Sequence, residues 1–232
     1  MKIHGLQKIT LLDYPGLVAC TVFAGGCDFR CPFCHNAPLV TEPWPDAIGE
    51  EEIFSFLRKR RGLLDGVCVT GGEPLMQPDI ADFLTRIRQL GYKIKLDTNG
   101  SYPERLRTVV EAGLTDLIAM DIKNSPAKYA ATAGVPGLDL GPVRESAAFL
   151  MEGRVPFEFR TTAVWPLHEK EDFIAIGEWL RGNENYYLQQ FIDSGDLIRP
   201  DGLGAYSIEA MRIFADTVRP YIPNTFLRGV EE

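Results

Sequence analysis

The sequence predicts an α/β fold: a parallel sheet with helical crossovers, arranged as a partial (β/α)6 TIM-like barrel in one domain over residues 1–232. Three observations carry this expectation. Short strand-like runs alternate with amphipathic helical segments, the pattern of a parallel sheet. Six such units fit 232 residues, whereas a full (β/α)8 barrel takes about 250. Polar residues gather where the strands run out, and those C-terminal ends form the ligand face of parallel α/β architectures.

The predicted strands are 17–23, 66–70, 93–97, 116–121, 157–163 and 186–192. A helix over 49–61 follows the first; it starts Glu50-Glu51-Glu52 and ends Arg58-Lys59-Arg60-Arg61. Acid first and base last suits the helix dipole, so the basic run reads as a helix end rather than a nucleic-acid patch. Pro78 opens the next helix, where Ile80, Phe83, Leu84, Ile87 and Leu90 share a face and Gly91 gives the stop. Pro103 opens another with Leu106, Val109 and Val110, closed by Gly113. Phe173, Ile176 and Leu180 mark a fourth before Gly182, and Ile208, Met211, Phe214 and Val218 a fifth before Pro220. "CVTGGEP" follows the second strand, "LDTNG" the third and "AMDIK" the fourth, while "FEFRTT" forms the fifth. With the cysteine-bearing loop after the first strand, five segments converge on one rim.

Apolar content of 45% and charge of 24% are ordinary for a globular protein. A net charge of −8 argues against nucleic acid or an anionic membrane as the main partner. No apolar run approaches the ~20 residues that span a bilayer. The opening "MKIHGLQKITLLDYPG" is too interrupted for a secretory segment, so a reducing, cytoplasmic location is expected. Five cysteines is an odd count, which rules out a complete disulfide framework. Cys20 and Cys68 sit in apolar strand-like runs and read as small buried hydrophobes.

Cys27, Cys31 and Cys34 lie in the loop "GGCDFRCPFCHN", residues 25–36. Soft thiolates in this compact spacing suit an iron–sulfur cluster, with zinc as the alternative. A structural zinc site needs a fourth ligand, and the nearest candidate, His35, is awkwardly adjacent to Cys34. Three cysteines on a four-iron cluster leave one iron open, the mark of a reactive centre rather than a scaffold.

The Cx3CxxC spacing, with Phe33 before the last cysteine and "HN" after it, resembles the signature of the radical S-adenosylmethionine (SAM) superfamily. "GGEP" at 71–74 resembles its methionine-binding motif, and "DTNG" and "DIK" look like further motifs of glycyl-radical-enzyme activases. "GLQKITLLDYPG" and "FRTTAVWP" resemble the anaerobic ribonucleoside-triphosphate reductase activating proteins. The resemblance implies one [4Fe–4S] cluster on Cys27, Cys31 and Cys34, S-adenosylmethionine on the open iron, and its reductive cleavage to a 5′-deoxyadenosyl radical. It further implies hydrogen abstraction from a glycine of a partner enzyme, anaerobic ribonucleotide reductase, with flavodoxin or ferredoxin as electron donor. A different substrate on the same cofactor is the rival reading, and a zinc-binding interaction module is the rival from another class.

The same resemblance distributes roles at the rim. Gly71 and Gly72 are expected to let backbone approach the cofactor, with Glu73 accepting from its ammonium. Asp121 and Lys123, two apart, share one face and are expected to contact S-adenosylmethionine. Asp97 and Thr98 either join Asp121 around a monovalent cation or cap a turn. Arg160 either pairs with the cofactor's carboxylate or forms a rim salt bridge. Phe33 belongs beside the cofactor. His35 and Asn36 are expected to touch the cofactor's adenine or the partner's backbone, or His35 to donate a hydrogen bond behind the metal loop. Asp13 fits either a peptide-facing role or the capping of a Pro-Gly turn. The last strand carries Gln189 and Gln190 where pyruvate formate-lyase activases have a histidine, so their roles stay open.

Overall fold

A computed structural model describes residues 1–41, 44 and 46–230. Its strands are β1 (Ile3–Thr10), β2 (Ala19–Ala24), β3 (Gly66–Gly71), β4 (Lys93–Thr98), β5 (Leu117–Asp121), β6 (Phe157–Ala163), β7 (Asn185–Gln190) and β8 (Asn224–Arg228). They form one sheet in sequence order. β2 through β8 run parallel, and β1 is antiparallel to β2. No ladder joins β1 to β8 among the described residues, so the barrel stays open between those edges. The six predicted strands are β2 to β7. β1 escaped prediction because "IHGLQKIT" has no alternation, with bulges on either side of its central pairs. β8 escaped because five residues after a proline carry little pattern.

The helices are α1 (Ala37–Val40), α2 (Glu50–Lys59), α3 (Ile80–Gln89), α4 (Pro103–Glu111), α5 (Tyr129–Thr132), α6 (Gly141–Met151), α7 (Lys170–Trp179) and α8 (Ile208–Val218). Five were expected. α6, the missing crossover between β5 and β6, buries Ser146 and Ala147 along with Val143, Phe149 and Leu150, so its apolar stripe is diluted by small and polar residues. No helix is long and apolar enough to cross a membrane among the described residues.

Strand period two divides the sheet into two chemistries. Val22, Val67, Val69, Ile94, Leu96, Ile118, Met120, Phe159, Tyr186 and Leu188 belong to the core packed with the helices. The alternate residues face the concave side: Phe23, Thr70, Asp97, Asp121, Arg160, Thr162 and Gln189 line one cavity there. Cys20 is in the hydrophobic core as expected. Cys68 is not: it is buried, but its register partners are Thr21 and Lys95, and its sulfur lies 3.9 Å from the Lys95 ammonium. It belongs to the polar inner layer, because the strand's parity turns it away from the helices.

Candidate active site

The cysteine loop leaves β2 and is held on three sides by backbone. Gly72 N–H donates to Ala24 carbonyl (2.9 Å) and Glu73 N–H to Gly26 carbonyl (2.9 Å), which lays the end of β3 against the loop's start. On the other side Arg30 N–H donates to Ala133 carbonyl at 2.8 Å, and from the segment after β7 Arg199 N–H reaches Pro32 carbonyl at 3.0 Å. Two side chains tighten the first seam: Asn36 Nδ2 donates to Gly71 carbonyl and Gln77 Nε2 to Gly25 carbonyl, both at 2.8 Å. Phe29 and Phe33 are buried beneath the loop, Phe29 edge-on to Tyr129. Gly134, which the sequence reading passed over, supports the far side: at φ +69°, any Cβ there would lie 2.0 Å from the Arg30 carbonyl oxygen.

Cys27, Cys31 and Cys34 all line a cavity of about 380 Å³, with Asp13, Phe33, His35, Asn36, Gly71, Gly72, Asp97, Thr98, Asp121, Lys123, Arg160, Gln189 and Gln190. Five separated segments therefore converge as expected. Burial pushes all three thiols up, that of Cys31 to about 11, so metal must displace protons to bind them. Among the described residues, no three His, Cys, Asp or Glu side chains converge as a single-ion site. Three soft donors lining one cavity suit an iron–sulfur cluster. The remaining lining, mostly polar and charged with Phe23, Phe29 and Phe33 among it, suits an organic zwitterion beside it.

Charge on the concave wall is organised around Arg160, one-tenth exposed. Its Nε donates to Asp121 at 2.9 Å and its Nη1 to Asp97 at 3.3 Å. Lys95 pairs with Asp97 from below, and Lys123 with Asp121 at 3.1 Å. Burial opposes ionisation of both carboxyls, but Arg160 and Lys123 hold Asp121 down to about 2, and Arg160 and Lys95 hold Asp97 low. The guanidinium of Arg160 thus bridges the two carboxylates at which a monovalent cation was the expectation. Lys123 lies past the end of β5, and the chain stays extended there because Ile122 N–H donates to Arg160 carbonyl at 2.7 Å. Buried His168 fixes that segment: its Nδ1 accepts from Val164 N–H, leaving Nε2 to donate to Lys123 carbonyl at 2.9 Å.

Glu73 is placed differently from its expected role. It is fully buried and does not line the cavity. Its carboxylate accepts from Leu75 N–H (3.0 Å), Thr98 Oγ1 (2.8 Å) and Asn99 N–H (2.6 Å). Burial pushes it up to about 8 against those bonds. Glu73 thus ties the turn after β3 to the end of β4. Gly71 and Gly72 likewise serve the approach of two backbones, with the cavity on their open side. His35 packs against Phe191, and burial followed by Lys123 lowers its pKa. Asp13 accepts from Thr21 Oγ1, and Gln190 Nε2 donates to Tyr206 carbonyl at 2.7 Å.

Residues 21–176, most of the barrel, match the model of the Radical SAM superfamily. The chain belongs to the radical SAM superfamily. It is accordingly a radical SAM enzyme, and the superfamily's cofactors, a [4Fe–4S] cluster on three cysteines and S-adenosylmethionine, fit the donor set above. Relatives extend the match. A Methanocaldococcus jannaschii protein named "Putative glycyl-radical enzyme activating enzyme" is 29% identical over 196 residues, covering 82% of this chain and 79% of that one. The pyruvate formate-lyase-activating enzyme of Listeria monocytogenes is 26% identical over 230 residues, covering 91% and 86%. A solved domain of the Bacteroides vulgatus pyruvate-formate lyase-activating enzyme superposes with a TM-score of 0.58 at 20% identity, over 71% of this chain and 99% of that one, a likeness of fold.

Proposed function

We propose that this radical SAM enzyme installs a glycyl radical on a partner enzyme, and that the partner is anaerobic ribonucleoside-triphosphate reductase. The observation that carries the activase reading is relatives of that name aligned along four-fifths or more of the chain. The reductase rests on the resemblance of the "GLQKITLLDYPG" and "FRTTAVWP" segments. The open edge between β1 and β8 supports a protein substrate, since it leaves one side of the barrel free to admit a polypeptide loop. Residues 1–232 act as one domain in this reading. Flavodoxin or ferredoxin supplies electrons, and the cytoplasm provides the reducing conditions that five free thiols need.

When bound, the cluster and S-adenosylmethionine supply radical hydrogen abstraction. The protein's part is holding and shielding. Cys27, Cys31 and Cys34 would hold the cluster. Lys123 and Arg160, the cations on the cavity wall, would hold the cofactor's carboxylate, while Asp97 and Asp121 keep both side chains in place. Phe33 and His35 would wall the cofactor, and Thr98, bonded to Glu73, fixes the β4 rim beside it. Phe29 and Phe33, buried within the loop, would shield the reacting centre from water on that side.

The test is anaerobic mixing of the reconstituted, reduced protein and S-adenosylmethionine with candidate glycyl-radical enzymes, read by electron paramagnetic resonance. A glycyl doublet with the ribonucleotide reductase is expected. A doublet with pyruvate formate-lyase alone would move the partner. No doublet with any candidate, alongside turnover of a small molecule, would overturn the activase reading.

A further inference from the structure

Asn99 is the most completely specified polar side chain at the cysteine loop. Its amide orientation is fixed: Oδ1 accepts from Ser101 N–H (2.9 Å) and Ser101 Oγ (2.6 Å), so the NH2 must point the other way. There one N–H donates to Asp28 Oδ1 at 2.9 Å, and the same nitrogen stands 3.8 Å from Cys27 Sγ. The backbone is pinned as well, its N–H given to Glu73 Oε2. Asn99 is 6% exposed and lines the cavity. A primary amide has two donors, and Asp28 uses one; the other is free for sulfur.

We propose that Asn99 is a positioning residue that donates an N–H···S hydrogen bond to Cys27 and thereby sets the reduction potential of the cluster that Cys27 would hold. A donor aimed at a ligating sulfur withdraws negative charge from it. The reduced cluster carries one more electron than the oxidised one and gains more from that donor, so the bond raises the potential. Phe29 N–H, 3.4 Å from the same sulfur, supplies a second donor that no side-chain substitution removes. Cys27 would thus be doubly donated, and Asn99 is the adjustable half. Glu73 acts through it, since its carboxylate places the Asn99 backbone. The inference rests on Cys27 being a cluster ligand and not on the partner's identity.

The experiment is an anaerobic redox titration of the reconstituted full chain, read by electron paramagnetic resonance, for the parent, Asn99→Ala and Asn99→Asp. The second variant keeps the side chain's size and its acceptor for Ser101 while removing both N–H groups. Iron and sulfide are assayed in parallel. Both variants are expected to load a full cluster and to shift to more negative potential, by about tenfold in the reduction equilibrium, which is 59 mV for one electron. Unchanged potentials in fully loaded variants would overturn the proposal. So would failure of both variants to load while circular dichroism shows a retained fold, since Asn99 would then hold the loop rather than tune the sulfur. A parent that loads no cluster would instead sink the assignment of the three cysteines.

Discussion

Gly72 lies so close to Gly26 that a Cβ at position 72 would stand 1.9 Å from the Gly26 carbonyl oxygen. The neighbouring Gly71, at φ +113°, would put its Cβ 2.5 Å from the Ala24 carbonyl oxygen. Backbone cannot yield as a flexible side chain does. Gly72→Ala should therefore displace the cysteine loop, cutting iron per chain after reconstitution and lowering stability by more than about 1 kcal/mol. Gly113→Ala is the control: its φ is also positive (+65°) but nothing lies within 4 Å, so it should pay backbone strain alone and load iron normally. Equal iron in the two variants would refute the close-approach account.

Serine at Cys27, Cys31 or Cys34 should abolish cluster loading. Serine at Cys20 or Cys68 should leave iron and sulfide intact. Of these two, Cys20→Ser costs more, about 1–3 kcal/mol for a hydroxyl placed in an apolar core. Cys68 faces Lys95, which offers the hydroxyl a hydrogen bond. Urea melts rank the pair, and a larger loss at Cys68 would contradict its place on the polar face.

Arg160→Lys should fold but bind S-adenosylmethionine about tenfold or more weakly, because an ammonium cannot fork between Asp97 and Asp121 as a guanidinium does. Anaerobic equilibrium dialysis on cluster-loaded protein measures it. Parental affinity would show that Arg160 has no part in holding the ligand. Arg160→Ala leaves two carboxylates facing each other and should destabilise the fold by about 3 kcal/mol.

Asp121 gives a pH test. Its pKa is depressed in the fold to about 2, against an ordinary value near 3.9. Such a group stabilises fully above its unfolded pKa, and the contribution is lost as pH falls through the folded one. The parent should lose about 2 kcal/mol of Asp121-linked stability between about pH 5 and pH 2. Asp121→Asn should be less stable at neutral pH, with the gap closing in acid. A gap that is constant from pH 7 to 2.5 in urea titrations would rule out the ionised pair as its source.

Much of this molecule was legible from local pattern. The strand predicted over 157–163 is β6, Phe157–Ala163, because "FEFRTTA" alternates and its ends are sharp. α3 and α4 follow their prolines and apolar stripes. The cysteine loop was legible from spacing alone, since three thiols within eight residues leave little else to do. Edge strands β1 and β8 and the small-residue helix α6 were not, because their signals are too short or too diluted for a window along the chain.

The sequence by itself determined which chemistry this protein carries and at which end of its sheet, because soft-ligand spacing and strand-end polarity are local properties. Tertiary structure alone decided what each rim residue faces. Glu73 reads as a ligand contact, yet folding turns it inward onto Thr98 and Asn99. Gly72 meets backbone, Cys68 meets Lys95, and a guanidinium lies between Asp97 and Asp121. These pairings join residues from about 25 to more than 60 positions apart, set by strand register and crossover packing. No local periodicity encodes which partner stands across a gap, and so the roles had to wait for the fold.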